Sequence, residues 1–303
     1  MDSEGDSKKI IPHPSEPLSN TSPETSPKAY IEPSLGTLPD QLSVQLSETE
    51  VIHNGPCGVQ QQYNHYSAEE HETWSILFTR QFANLQDIAF TPWLKAITDI
   101  GLNADRCPSF ADLSRRLHSR TGWTVVGVEG FLHGRDYFWY LANKLFPAVP
   151  RLRPRAHLEF IVEPDLFHDA FGHVPMHSNQ LFAEFVELYG KVALQLFNNP
   201  ERAKELGRLY WFTVEYGLIH EEGTIKVCGS GHLSGIKESR YSLTERVRKI
   251  PFDMEKVIKQ DYNPHILQET LFVLDSYEQL VEAMKKKAAE FGIEVSHSGS
   301  PLS

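Results

Sequence analysis

From Ser67 onward, apolar residues recur every three or four positions: Trp74, Leu77, Phe78 and Phe82 fall on one stripe, the repeat of a helix with one buried face. Ser67 followed by Glu70 makes a capping box, so the pattern predicts a helix starting at Ser67. Thr91-Pro92, Ser109 with Asp112, Asp136 and Asn199-Pro200 mark four further helix starts, and Gly122 and Gly190 are expected stops. A second stripe runs through Ala203, Leu206, Tyr210, Val214 and Leu218. Two glycine-flanked stretches, TVVGVEG at 124–130 and TIKVCGS at 224–230, read as short strands, and HEE at 220–222 as a solvated helix end. Helical periods dominate after residue 65 without a repeat or linker, which predicts a single mainly α domain with small β elements.

Composition changes this picture at the ends. Residues 1–50 hold seven of the 19 prolines, nine serines, one aromatic (Tyr30), and nine acids against three lysines. Such a segment has too little apolar surface to fold. The expected organisation is a disordered acidic tail over 1–60, a folded domain over 61–290 and a flexible end over 291–303. The net charge of −11 and the absence of a basic run argue against nucleic acid or anionic membranes as partners and for small-molecule substrates. Three scattered cysteines, Cys57, Cys107 and Cys228, suit a reducing compartment, and neither a leader pattern nor a membrane-spanning stretch is found, so the expected location is the cytoplasm.

The candidate chemistry lies in EPDLFHDAFGHVP, residues 163–175. His168 and His173 stand five residues apart, about 140° on an ideal helix, whereas the zinc-protease pattern H-E-x-x-H uses a spacing of four. For both rings to reach one point the helix has to bend or end between them, and Gly172 and Pro175 are suited to that. A third group sits on the second stripe: Glu215 is flanked by Trp211 and Leu218, with no Lys or Arg one turn away. A buried carboxylate needs a cation. That cation is either a metal held with the two histidines, or a distant arginine such as Arg208 or Arg240, the histidines then being ordinary polar residues. Two imidazoles and a carboxylate form the facial arrangement of non-haem Fe(II) oxygenases.

EPDLFHDAFGHVP, RLYWFTVEYGL (208–218), RTGWTVVGVEGFLHGRDYF (120–138) and YSAEEHETW (66–74) occur in the order found in the pterin-dependent aromatic amino acid hydroxylases. From about Tyr63 to about Leu280 the chain resembles that family, most of all its bacterial members consisting of the catalytic domain alone. The resemblance implies the family's basket-like, mainly helical α+β catalytic fold, with Fe(II) and a tetrahydropterin (tetrahydrobiopterin or a bacterial analogue) serving O2-dependent ring hydroxylation. It makes His168, His173 and Glu215 the iron ligands. Asp169 stands where the family usually has Glu, near the iron and the pterin. Arg153 corresponds to the arginine that holds the substrate carboxylate, Asp165 to the acid supporting it, Trp211 and Pro164 to the ring pocket, and Ser234 to a serine beside an iron-bound histidine. Gly130, Leu132, Tyr137 and Tyr210 match the pterin side.

Trp211 is the residue that family members acting on phenylalanine or tyrosine carry there, so the resemblance implies phenylalanine as substrate, with tyrosine as product. Pro147 and Pro264, at two substrate-linked positions, depart from the animal enzymes and leave open a tyrosine or tryptophan hydroxylase or attack at the 3-position. From other classes, a zinc hydrolase and a catalytically silent binding protein remain as alternatives. The first 60 residues lack the periodicity of the family's regulatory domain, and no coiled-coil helix follows SYEQLVEAMKKKAAEFG, which implies a monomer.

Overall fold

Side-chain caps decide where most of the helices begin. The computed structural model describes residues 35–159 and 163–293, all within one compact unit, Pro33–Ser303. In chain order the elements are β1 (Val44–Leu46), β2 (Val51–His53), α1 (Ala68–Leu85), α2 (Thr91–Asp99), α3 (Phe110–Thr121), β3 (Thr124–Gly127), α4 (Gly134–Ala142), β4 (Leu145–Ala148), α5 (Gln180–Leu196) and α6 (Pro200–Tyr210). Then follow β5 (Leu218–Glu221), β6 (Thr224–Val227), α7 (Ser230–Ser234), α8 (Ile236–Ser242), β7 (Arg248–Pro251), α9 (Met254–Val257), β8 (Thr270–Leu274) and α10 (Tyr277–Glu290).

The predicted capping box at Ser67 and Glu70 is present, Ser109 caps α3, and Asn199 accepts from two backbone N–H groups ahead of Pro200. Gly122 ends α3 at φ 80, a left-handed conformation that only glycine adopts cheaply. The strands form three small sheets. β1 and β2 are antiparallel. β3 and β4 are parallel, with α4 as the crossover between them. The third sheet has the order β6-β5-β8-β7. Trp74, Trp93, Trp123, Phe146, Phe167 and Phe171 are fully buried in the core between helices and sheets. Among the described residues no helix is long and apolar enough to cross a membrane.

Four expectations need correction. The tail expected to extend to residue 60 gives way earlier: β1 and β2 pair Val44 with His53 and Leu46 with Val51, and Val51 joins the core. Their alternation is only three residues long in each strand, too brief to stand out beside the serines and prolines. Residues 1–34 and 294–303, most of the two expected flexible ends, lie outside the described residues. Asp136 does not start a helix; α4 begins at Gly134, and the fully buried Asp136 carboxylate accepts from Gly36 N (2.7 Å) and pairs with Arg135. His220 and Glu221 belong to β5, and Glu222 and Gly223, both at positive φ, form a two-residue hairpin turn into β6 of the kind whose twist matches the strands.

Gly190 is not a stop. It lies inside α5 where that helix crosses α4, and a Cβ there would lie 2.5 Å from Ala142 N and 2.8 Å from Leu141 C. Glycine is required for the close approach rather than for a turn. Gly190→Ala would gain about 1 kcal/mol of helix propensity but must push backbone apart, at a cost of about 1–3 kcal/mol. The expected result is a lower urea midpoint at unchanged slope; a raised midpoint would contradict the packing argument.

Candidate metal centre

The five-residue spacing of the two histidines is resolved by widening of the helix, not by a bend or break. His168–His173 wind as a single π turn, closed by Val174 N donating to Asp169 O five residues back. In that winding, residues five apart come into register, so both rings point the same way: their Nε2 atoms are 3.2 Å apart, with the rings nearly perpendicular. Gly172 serves a different purpose from flexibility. A Cβ on it would come within 2.8 Å of Ser230 O, so its bareness lets α7 press against the π turn.

A second π turn, Trp211–Glu215, continues α6, with Tyr216 N donating to Trp211 O at 2.8 Å. It delivers the Glu215 carboxylate to the same point. Glu215 Oε1 is 3.0 Å from His173 Nε2, and Oε2 is 3.8 Å from His168 Nε2. Neither arginine considered from the sequence reaches it: Arg208 pairs with Asp261 and Arg240 with Asp87. Among the described residues, His168, His173 and Glu215 are the group whose donor atoms, all within 4.8 Å of one another, could hold a metal.

The chemistry of the donors fits a divalent cation. Burial pushes His168 down to about 4, so its imidazole is neutral. Its Nδ1 hydrogen-bonds Ser234 Oγ (2.8 Å), and Ser234 donates onward to Ser230 O, which fixes Nε2 as the atom carrying the lone pair. Burial favours neutral forms of His173 and Glu215 as well, but their mutual attraction overrides it, raising His173 and holding Glu215 below the usual carboxylate range. The gap between them therefore favours positive charge, which a divalent metal held there would supply. With metal–nitrogen bonds of about 2.1 Å, ligands at right angles stand about 3.0 Å apart, close to the separations of 3.0 and 3.2 Å found here.

Around this group the other expected residues are distributed as follows. Arg153 Nε and Nη2 donate to Asp165 Oδ2 and Oδ1, each at 2.8 Å, and the guanidinium lies over the Phe167 ring. Asp165 also accepts from Arg153 N and from His168 N. Pro164, half-buried, immediately precedes Asp165. Asp169 stays outside the donor group; its Oδ2 accepts from Val149 N at 2.7 Å, and burial raises it to about 7. Trp211 stacks on Tyr262 at 4.3 Å. Tyr137 and Tyr210 share a short hydroxyl–hydroxyl hydrogen bond with their rings edge to face, and the Tyr210 ring lies nearly parallel to His173. Gly130 and Leu132 lie in the turn between β3 and α4 and are half-buried.

His177, four residues after His173, is a core residue: its Nδ1 meets His173 O and its ring packs among Trp123, Phe146 and Phe182. Two residues of the site were missed. Ser230, whose hydroxyl is 3.0 Å from Glu215 Oε2, precedes the expected Ser234 by one helical turn, and that spacing was the available signal. Tyr262 gave none, because its position over Trp211 is set by a loop 51 residues away in sequence.

The profile of the biopterin-dependent aromatic amino acid hydroxylases matches residues 50–298. The chain is 38% identical over 230 residues to the phenylalanine-4-hydroxylase of Chromobacterium violaceum, covering 74% of this chain and 75% of that one. It is 36% identical over 253 residues to the phenylalanine-4-hydroxylase of Ralstonia nicotianae, covering 82% and 80%. The structure is similar, with TM-score 0.73 and 36% identity over 77% of this chain and 87% of the other, to C. violaceum phenylalanine hydroxylase with bound iron(III) and oxidised cofactor 7,8-dihydrobiopterin.

Removing one partner of a buried ion pair strands the other charge, at about 3–5 kcal/mol. Arg153 and Asp165 are both nearly buried, so Asp165→Ala should lower the unfolding free energy by about that amount, read by urea denaturation. A loss of a few tenths of a kcal/mol would mean that water reaches the pair.

Proposed function

The chain belongs to the biopterin-dependent aromatic amino acid hydroxylases, and on that footing we propose that it converts L-phenylalanine to L-tyrosine with O2, Fe(II) and a tetrahydropterin. The observation that carries this reading is the convergence of His168, His173 and Glu215. Fe(II) held by these three would supply the site of O2 activation, with the electrons coming from the pterin.

The chain's own residues bind and orient. Arg153 uses Nε and Nη2 on Asp165 and keeps Nη1 for the substrate carboxylate. Because Asp165 also accepts from His168 N, the anchor for the substrate and one metal ligand are held by the same carboxylate. Trp211, Tyr262 and Pro164 form the wall for the aromatic ring. Trp211 and the two relatives that are phenylalanine-4-hydroxylases both favour phenylalanine. Ser234 fixes the His168 tautomer. Asp169 holds the end of β4 through Val149, and burial raises its carboxyl to about 7. Gly130, Leu132, Tyr137 and Tyr210 line the pterin side, and the Tyr137–Tyr210 hydrogen bond joins that side to the ring beside His173.

The same reading includes a catalytic unit that starts by Val44 and continues through α10, acting as a monomer in the cytoplasm. Support for the monomer is that α10 lays Leu280, Val281, Met284 and Ala288 into the chain's own core against α5. Support for a reducing compartment is that Cys57, Cys107 and Cys228 are free thiols.

Fe(II)-loaded protein given O2, tetrahydropterin and an equal mixture of Phe, Tyr and Trp should form para-tyrosine, identified by chromatography and mass spectrometry. Meta-tyrosine, DOPA or 5-hydroxytryptophan would keep the reaction and change the substrate or ring position. Glu215→Gln should abolish product and metal retention while leaving the far-ultraviolet circular dichroism unchanged; full activity in that variant would contradict its role as a ligand.

A further inference from the structure

Ser230 opens α7 with a side chain that is nearly inaccessible, 2% exposed. Its Oγ lies 3.0 Å from Val214 O and 3.0 Å from Glu215 Oε2. A hydroxyl carries one proton, so it can donate to one of these at a time. The hydroxyl is also unable to drift away. Ser230 O is pressed against bare Gly172, and it accepts from Ser234 Oγ at 2.8 Å. The two oxygens of Glu215 therefore have different surroundings: Oε1 faces His173 Nε2 at 3.0 Å, while Oε2 faces the serine at 3.0 Å and His168 Nε2 only at 3.8 Å.

We propose that Ser230 is a positioning residue for the metal, holding Glu215 Oε2 back so that Oε1 is presented as the ligand atom. When the hydroxyl turns to Val214 O, Oε2 is released and the carboxylate is free to use both oxygens. The rotation of one hydroxyl would thus decide whether one or both Glu215 oxygens are offered to a metal held there. The five-residue α7 then governs two ligands from one face, Glu215 through Ser230 and His168 through Ser234, one helical turn apart. This inference rests on the metal reading of the site.

The test uses Co(II), whose visible absorption reports its coordination. Wild type, Ser230→Ala, Ser230→Cys and Glu215→Gln are titrated with Co(II), and unfolding of the metal-free proteins is measured in parallel. Ser230→Ala, in which Glu215 can offer both oxygens, should shift Co(II) affinity by about 10-fold and move the visible spectrum toward a higher coordination number, with Ser230→Cys, a weaker donor, between it and wild type. A Ser230→Ala protein whose affinity and spectrum both match wild type would overturn the proposal; if that variant fails to fold, the same comparison on Ser230→Cys decides. Wild-type protein that binds no Co(II), or binding that Glu215→Gln leaves intact, would instead remove the metal reading itself.

Discussion

Two imidazole nitrogens 3.2 Å apart, with a carboxylate oxygen 3.0 Å from one of them, require positive charge between them, and the centre of this molecule is arranged around that requirement. In a largely desolvated space, lone pairs and negative charge of this density are stable only with a cation or a trapped proton. The two π turns create the demand, because each brings to the front a side chain that ordinary helical winding would turn aside. π turns are rare and cluster at functional sites, and here two of them face one another.

Asp165 ties that centre to its surroundings. One carboxylate accepts from the Arg153 side chain, from Arg153 N and from His168 N. Movement of the guanidinium is thereby felt at the first residue of the π turn. Attraction to Arg153 holds Asp165 below the usual carboxylate range despite its burial. Asp169, buried without an arginine, goes the other way. Two aspartates four residues apart are thus shifted in opposite directions because only Asp165 has an arginine as partner.

Much of this was legible in the chain, where the cause was local. The capping box at Ser67, the caps at Ser109 and Asn199, and the strands at 124 and 224 depend on neighbours a few residues away. Glu215 could be identified as an electrostatic problem from its apolar flanks alone. The features that were missed depend on distant partners. Gly190 reads as a stop until α4 lies across it, Asp136 reads as a cap until Gly36 reaches it, and the winding that aligns His168 with His173 comes with α7 packed against Gly172. The family resemblance supplied the proposed roles of Arg153, Asp165 and Ser234, which no pattern of spacing suggests. It did not extend to Ser230 or Tyr262.

The parallel pair β3 and β4 has a further consequence. Both strands point their carboxyl ends the same way, and the chain leaves β3 into the turn carrying Gly130 and Leu132, and leaves β4 toward Arg153. Open parallel sheets generally present ligand-binding loops at that edge, and two strands suffice here. The proposed cofactor loop and the proposed substrate anchor are thus separate segments mounted side by side on one rigid base. Either can change in length or sequence without disturbing the other, so a lineage built on this frame can alter its choice of amino acid while its pterin contacts stay as they are.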